Sequence, residues 1–198
     1  SWTPGGETLQ GLLDRGKISR ILFNNLTNPH ADFKDDYTFP ADRKPYDHQL
    51  EAWDILSGPQ PRSLLVTSGT GSGKTETFMV PILDDLARQI EQKDEQLVGV
   101  QALFLYPLNA LIESQKSRLA AWSEGMHGKL RFGLYTGAMP DTVRDAGGYA
   151  CEVRDRKRLR EAPPPLLITN MTMLEYMLIR GSDSPILEKS QGKLKWIV

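Results

Sequence analysis

The chain has 198 residues, with 24 Lys and Arg against 25 Asp and Glu, for a formal charge of −1. That length suits one domain with a short appendage, and a chain of this size buries roughly 70% of its unfolded surface. A 39% hydrophobic and 25% charged composition excludes disorder, no run nears the ~18 apolar residues of a membrane span, and the charge balance excludes a strongly basic nucleic-acid coat.

Residues 1–43 read as an N-terminal appendage. Leu9, Leu12, Leu13, Ile18, Ile21 and Leu22 suggest two short helices, and the Asn-, Asp- and Pro-rich stretch 24–40 reads mostly as loop. From residue 44 the rhythm changes. Apolar runs at 63–67, 102–106, 131–135, 166–169 and 194–198 look like buried strands. Between them, Met79, Ile82, Leu83, Leu86 and Ile90 share one helical face, as do Leu108, Leu111, Ile112, Leu119 and Trp122. Strands alternating with helices predict an α/β domain over 44–198 with a mainly parallel sheet covered on both faces. Ligands of such sheets bind beyond the carboxyl ends of the strands. Pro81 lies inside the first helical stripe and predicts a kinked but unbroken helix there, because the stripe runs straight through it. Cys151, the single cysteine, has no neighbouring base and reads as inert. With no secretory pattern at Ser1, it points to a reducing, cytoplasmic setting. His30, His48 and His127 have no metal-ligand spacing.

The segment Ser68-Gly69-Thr70-Gly71-Ser72-Gly73-Lys74-Thr75-Glu76 follows an apolar run and opens a helix. That is the context of a phosphate-binding loop. Its glycines let backbone N–H groups turn inward as an anion nest, and the helix start adds partial positive charge. Lys74 would reach the β- and γ-phosphates of ATP, and the Thr75 hydroxyl would take one position on Mg²⁺. The strict pattern begins with glycine, where this chain has Ser68. Upstream, Gln49 stands 25 residues before Lys74 at a helix head. A glutamine amide offers both the donor and the acceptor that the N6/N7 edge of adenine requires. Phe33, Tyr37 and Phe39 are candidates to stack on the base.

Gln49 at this spacing resembles the Q motif of superfamily 2 helicases. The chain as a whole resembles the first RecA-like domain of a DExH/DEAH-type member, a three-layer α/β/α P-loop fold. Tyr106-Pro107-Leu108-Asn109-Ala110-Leu111 is similar to the Y-P-M-N-A-L form of motif Ia in large bacterial helicases, among them MrfA-like repair helicases and DISARM and Druantia defence helicases. Tyr135-Thr136-Gly137-Ala138 resembles motif Ib. Leu166-Leu167-Ile168-Thr169-Asn170-Met171-Thr172-Met173-Leu174-Glu175 resembles the next family segment. The resemblance implies nucleic-acid contacts from Pro107, Asn109, Thr136, Gly137, Thr169 and Asn170. Helix starts at strand ends offer N–H groups to phosphates, which agrees with it. Thr172 with Glu175 also fits a structural capping box. The basic run Arg154, Arg156, Lys157, Arg158 and Arg160 reads as the solvated face of a helix, with contact to nucleic-acid phosphates as the alternative.

The family places its Asp-Glu-Ala-His box directly after a strand like 194–198, and a second RecA-like lobe with an arginine finger beyond it. The resemblance therefore implies the ATP-binding lobe of an ATP-dependent DNA helicase or translocase, acting in repair or antiviral defence on single-stranded or tailed DNA. Partner proteins of such a complex are expected, a membrane is not, and the 198-residue segment alone is expected to be inactive. A nucleotide kinase would share the phosphate loop but not the two later segments. A nucleotide-gated DNA-binding scaffold is the alternative.

Overall fold

The computed structural model describes residues 3–67, 69, 71–144 and 147–198. In chain order the helices are α1 (Leu9–Asp14), α2 (Arg20–Thr27), α3 (Lys34–Tyr37), α4 (Asp47–Ser57), α5 (Lys74–Lys93), α6 (Asn109–Ser123), α7 (Arg156–Glu161), α8 (Met171–Ile179) and α9 (Ser184–Ser190). The strands are β1 (Ala102–Leu105), β2 (Phe132–Tyr135), β3 (Glu152–Val153), β4 (Leu166–Thr169) and β5 (Trp196–Ile197). They form one sheet in the order β3-β2-β4-β1-β5, with every pairing parallel.

Because successive side chains on a strand point to opposite faces, the strand sequences sort themselves into two cores. Ala102, Phe104, Phe132, Leu134, Leu166 and Ile168 face a cluster completed by α1, α2, α5 and α6. Leu103, Tyr135, Val153 and Leu167 face the other, completed by Leu159 of α7, Met173 and Met177 of α8, and Ile186 of α9. This is the expected three-layer α/β/α arrangement. The short strands are apolar on both faces because both faces are covered.

Residues 9–39 share the first core: Leu9, Leu12, Leu22, Leu26, Phe33 and Phe39 are buried with the residues of α5 and α6. One carboxylate ties the two parts. Asp84 of α5 is buried, accepts the Ser19 N–H at 2.6 Å and accepts the Arg88 Nε–H at 2.7 Å. Asp84→Ala would leave the Ser19 N–H buried and unpaired, a cost of about 1–3 kcal/mol. Thermal unfolding should show a lower Tm, with Asp84→Asn intermediate because it keeps one acceptor. An unchanged Tm in the alanine variant would mean that residues 9–39 do not unfold together with α5.

Two expectations change. Residues 63–67 form no strand: they lie outside the sheet, and Leu65 is 87% exposed. An apolar run becomes a strand only against a partner ladder, and the edge strand β5 offers just two residues. Helix α5 is fastened to that edge by side chains instead, with Asp85 accepting from Lys195 Nζ (2.7 Å) and Trp196 Nε1 (3.0 Å). Leu108 and Leu111, expected on the buried face of α6, are exposed, because the first turn of α6 projects past the end of β1. Helix α5 runs unbroken through Pro81, as its apolar stripe implied, with Pro81 itself buried.

Candidate functional site

The phosphate loop ends in Gly73, the residue preceding α5, with φ +74°, and Gly71 has φ +75°. Both values lie in the left-handed region that glycine enters without a Cβ penalty. The loop is gripped from behind by α4. Gln49 Nε2 donates to the Gly73 carbonyl (3.0 Å), His48 Nε2 to the Ser72 carbonyl (3.0 Å), and Trp53 Nε1 to the Glu76 carbonyl (3.0 Å). Gln49 Oε1 accepts the Tyr46 N–H (2.9 Å). Gln49 is thus 3% exposed, with both ends of its amide engaged. In this structure it is a latch between the α4 start and the loop, and it also lines the cleft in front of that loop. Lys74 Nζ donates to the Gly69 carbonyl at 2.5 Å, closing the loop upon itself. Ser68 and Thr70 lie outside the described residues.

In front of the loop is a cleft of about 500 Å³, within the range of small-ligand pockets. Gly71, Ser72, Gly73, Lys74, Thr75 and Glu76 form one wall. Tyr37, Phe39, Arg43, Lys44 and Tyr46 form the other, and Arg118 and Trp122 of α6 close the end. Of the three aromatic candidates, Tyr37 and Phe39 line the cleft. Phe33 does not, being packed against His30, Tyr37 and Tyr149. The Arg43 guanidinium lies 4.9 Å over the Phe39 ring.

Arg118 is a cleft residue that sequence reasoning missed. Its guanidinium is 3.6 Å from the Glu76 carboxylate and lies over both Tyr37 (5.9 Å) and Trp122 (5.7 Å). Trp122 Nε1 in turn donates to the Tyr37 carbonyl (3.0 Å), which pins the outer wall to α6. No local pattern around Arg118 announces this. Only the helical spacing from Arg118 to Trp122 places both on one side of α6.

The second group of predicted residues gathers at the carboxyl ends of three adjacent strands. Leu105, Thr169 and Tyr135 are in register across β1, β4 and β2, so the segments that follow them emerge flush. Asn109 opens α6 and Asn170 caps α8, where its Oδ1 accepts the Met173 N–H at 2.8 Å. The two are joined, Asn170 Nδ2 donating to Asn109 Oδ1 at 2.9 Å. Two helix N-termini are thus held side by side, with Pro107 and Gly137 exposed beside them. N-terminal N–H groups and their partial positive charge suit a phosphate.

Four expectations need correction here. Thr169 is fully buried and its hydroxyl donates to the Tyr135 carbonyl (2.6 Å), so its side chain braces β4 against β2 and is not presented outward. Thr136 is likewise 3% exposed. The cap of α8 is Asn170, one residue before the helix, so Thr172 and Glu175 lie inside it and form no capping box. The basic run is not one solvated face: Arg156 is buried, and Arg160 Nε donates to the buried Asp183 carboxylate (2.9 Å). Cys151 is buried beside Glu124, and burial followed by that carboxylate pushes its thiol far above the ordinary range, away from the reactive thiolate. Among the described residues no cluster of three or more His, Cys, Asp or Glu is arranged to hold a metal ion, and no helix is long and apolar enough to cross a membrane.

Comparison with known proteins agrees with this geometry. Residues 46–198 match the DEAD/DEAH box helicase family. The chain is 36% identical over 110 residues to the Druantia protein DruE of Escherichia coli (strain UMEA 4076-1), covering 50% of this chain and 6% of that protein. It is 30% identical over 148 residues to the ATP-dependent helicase Lhr-Core of Methanothermobacter thermautotrophicus, covering 69% and 16%. The DUF1998 helicase MrfA bound to DNA superposes with a TM-score of 0.58 at 24% identity, over 91% of this chain and 21% of that one. MrfA bound to DNA and AMPPNP superposes at 0.60 and 23%, over 91% and 20%. The chain therefore spans about a fifth or less of the length of these relatives. With most of its length matched to the family and its sheet order and loops in place, the chain belongs to the DEAD/DEAH box helicases, as a first RecA-like domain of superfamily 2.

Proposed function

We propose that this chain is the ATP-binding lobe of an ATP-dependent DNA helicase or translocase working in DNA repair or anti-phage defence. The observation that supports this reading best is that one helix touches both sites. Asn109 at the start of α6 belongs to the strand-end face, and Arg118 and Trp122 of the same helix close the nucleotide cleft. At 1.5 Å per residue Asn109 lies about 14 Å along the helix from Arg118 and about 20 Å from Trp122. A displacement of α6 on nucleotide binding is therefore delivered to the loops that would hold the strand.

ATP fits the cleft by its chemistry. The glycine-lined wall, the helix start and Lys74 suit the phosphates, and the Tyr37 and Phe39 wall suits the base. Thr75 would supply one oxygen to Mg²⁺, with phosphate oxygens and water completing its sphere. A single hydroxyl does not hold the ion alone, so turnover needs carboxylates and a cationic finger contributed from a facing lobe. Nucleic acid would cross Pro107, Asn109, Gly137 and Asn170, held by its backbone. DNA is preferred over RNA because MrfA is bound to DNA. Closure and reopening of the two lobes around ATP would then ratchet the strand-end face along the strand.

The test is the ATPase rate of the full polypeptide alone, with single-stranded DNA, and with single-stranded RNA. Strong stimulation by DNA is expected. A flat, very low rate under all three conditions would replace the motor with a nucleotide-gated scaffold, and stimulation by RNA alone would overturn the choice of DNA.

A further inference from the structure

The stretch 136–143, which leaves β2 with Thr136 and Gly137, belongs to no helix or strand. Its course is fixed from outside, by the first turn of α7. The Arg156 backbone N–H donates to the Pro140 carbonyl (3.0 Å) and the Lys157 N–H to the Asp141 carbonyl (3.1 Å). The Arg156 side chain then runs beneath the loop. Its Nε–H donates to the Met139 carbonyl and its Nη2–H to the Thr136 carbonyl, both at 3.0 Å. A return bond goes from the Val143 N–H to Asp155 Oδ2 (3.4 Å).

The fork has a rigid seat. The guanidinium lies 4.9 Å over the Tyr135 ring, and Tyr135 Oη donates to the buried Asp183 carboxylate at 2.6 Å. Arg160 Nε donates to the other oxygen of the same carboxylate. Arg156 is only 9% exposed, and its Nη1 is buried with no hydrogen-bond partner among the described residues. Its one carboxylate partner among the described residues, Asp141, is 3.9 Å from Nε and itself largely exposed. A buried cation that spends its hydrogen bonds on neutral carbonyls is an expensive way to fill space, since an apolar side chain would pack there without that desolvation cost. What the guanidinium supplies and an apolar residue cannot is a planar fork that fixes two carbonyls at once.

We propose that Arg156 is a positioning residue for nucleic-acid binding. Its fork holds the Thr136 and Met139 carbonyls on the inner side of the loop. The exposed Gly137–Ala138 peptide is thereby set at the rim, in line with the α6 and α8 starts. The inference rests on the nucleic-acid reading above. Arg156 touches no phosphate itself.

The experiment uses the full polypeptide with Arg156→Gln and Arg156→Lys. Binding to a fluorescent single-stranded oligonucleotide is measured by anisotropy across a salt series, beside binding of a nucleotide analogue without DNA and a thermal melt. Arg156→Gln is expected to raise the Kd for DNA about 10-fold, the scale of losing one net hydrogen bond or two. Arg156→Lys should fall between, since an ammonium serves one carbonyl but not the fork. Nucleotide affinity and the slope of log K against log salt should not move. A slope reduced by about 0.7, the value for one lost contact to single-stranded phosphate, would overturn the proposal in favour of direct contact. Parallel loss of DNA binding, nucleotide binding and Tm would reduce Arg156 to a structural residue, and unchanged DNA affinity would remove it altogether. A wild-type protein that binds neither DNA nor RNA would overturn the nucleic-acid reading, and this inference with it.

Discussion

Lys74→Ala should lower ATP turnover of the full polypeptide by about 10²–10³-fold, the usual cost of removing one preorganised donor to developing charge. In the structure Lys74 Nζ is held by the Gly69 carbonyl, a neutral acceptor within the loop itself. An ammonium exchanging that partner for a phosphate oxygen gains a charge-assisted bond about twice as strong, so the resting contact stores the side chain close to its working position. The fold should be nearly indifferent, because Lys74 is only partly buried and its bond to Gly69 is exposed; stability should stay within about 0.5 kcal/mol of the parent protein, the range of ordinary surface changes. Lys74→Arg should fail as well, since the planar guanidinium replaces a point charge on a flexible stem. The paired measurement is steady-state ATPase rate and thermal unfolding for each variant. A folded Lys74→Ala protein with wild-type turnover would remove Lys74 from the chemistry.

The cores were legible in the sequence because burial on both faces leaves a plain signature. The runs around 102–105, 132–135 and 166–169 are apolar at nearly every position, and the structure pairs all three in parallel. The α5 stripe of Met79, Ile82, Leu83, Leu86 and Ile90 is buried as its helical spacing implied. The same signature misled at 63–67, where apolarity was present and a partner strand was not. It was silent at β3, whose two residues are too few to show a period.

At the site, the phosphate loop was legible because its chemistry is local: glycine, lysine and threonine at fixed offsets. Arg118, Trp122 and Arg156 were not, because each acts at a point 15 or more residues away in sequence. Arg156 sat within a run of like charges, where a solvated helix face is the ordinary outcome. Only the loop wrapped over the α7 start makes it a buried fork. Thr169 erred in the opposite direction. A hydroxyl at a strand end suggests a donor to ligand, yet the register of β4 with β2 directs it to the Tyr135 carbonyl.

Gly73→Ala should have the second largest effect, and it separates shape from chemistry in the same loop. The position has φ +74°, where a Cβ costs about 1–2 kcal/mol on conformation alone. That Cβ would also sit 2.3 Å from Gln49 Nε2 and 3.3 Å from Glu76 Oε2. Gln49 has no room to yield without breaking its bonds to the Gly73 carbonyl and the Tyr46 N–H, and each buried group left unpaired costs about 1–3 kcal/mol. The terms overlap, so the expected loss is about 3 kcal/mol, or roughly 6–12 °C in Tm for a chain of this size. Nucleotide binding should be lost with it, since the loop and its latch move together. Gly137→Ala is the matched control, because a Cβ there meets nothing within 4 Å and its φ is not in the left-handed region. Its Tm and nucleotide affinity should be unchanged, with any loss confined to nucleic-acid binding at the strand-end face. Equal Tm values for the two glycine variants would show that Gln49 does not latch the phosphate loop.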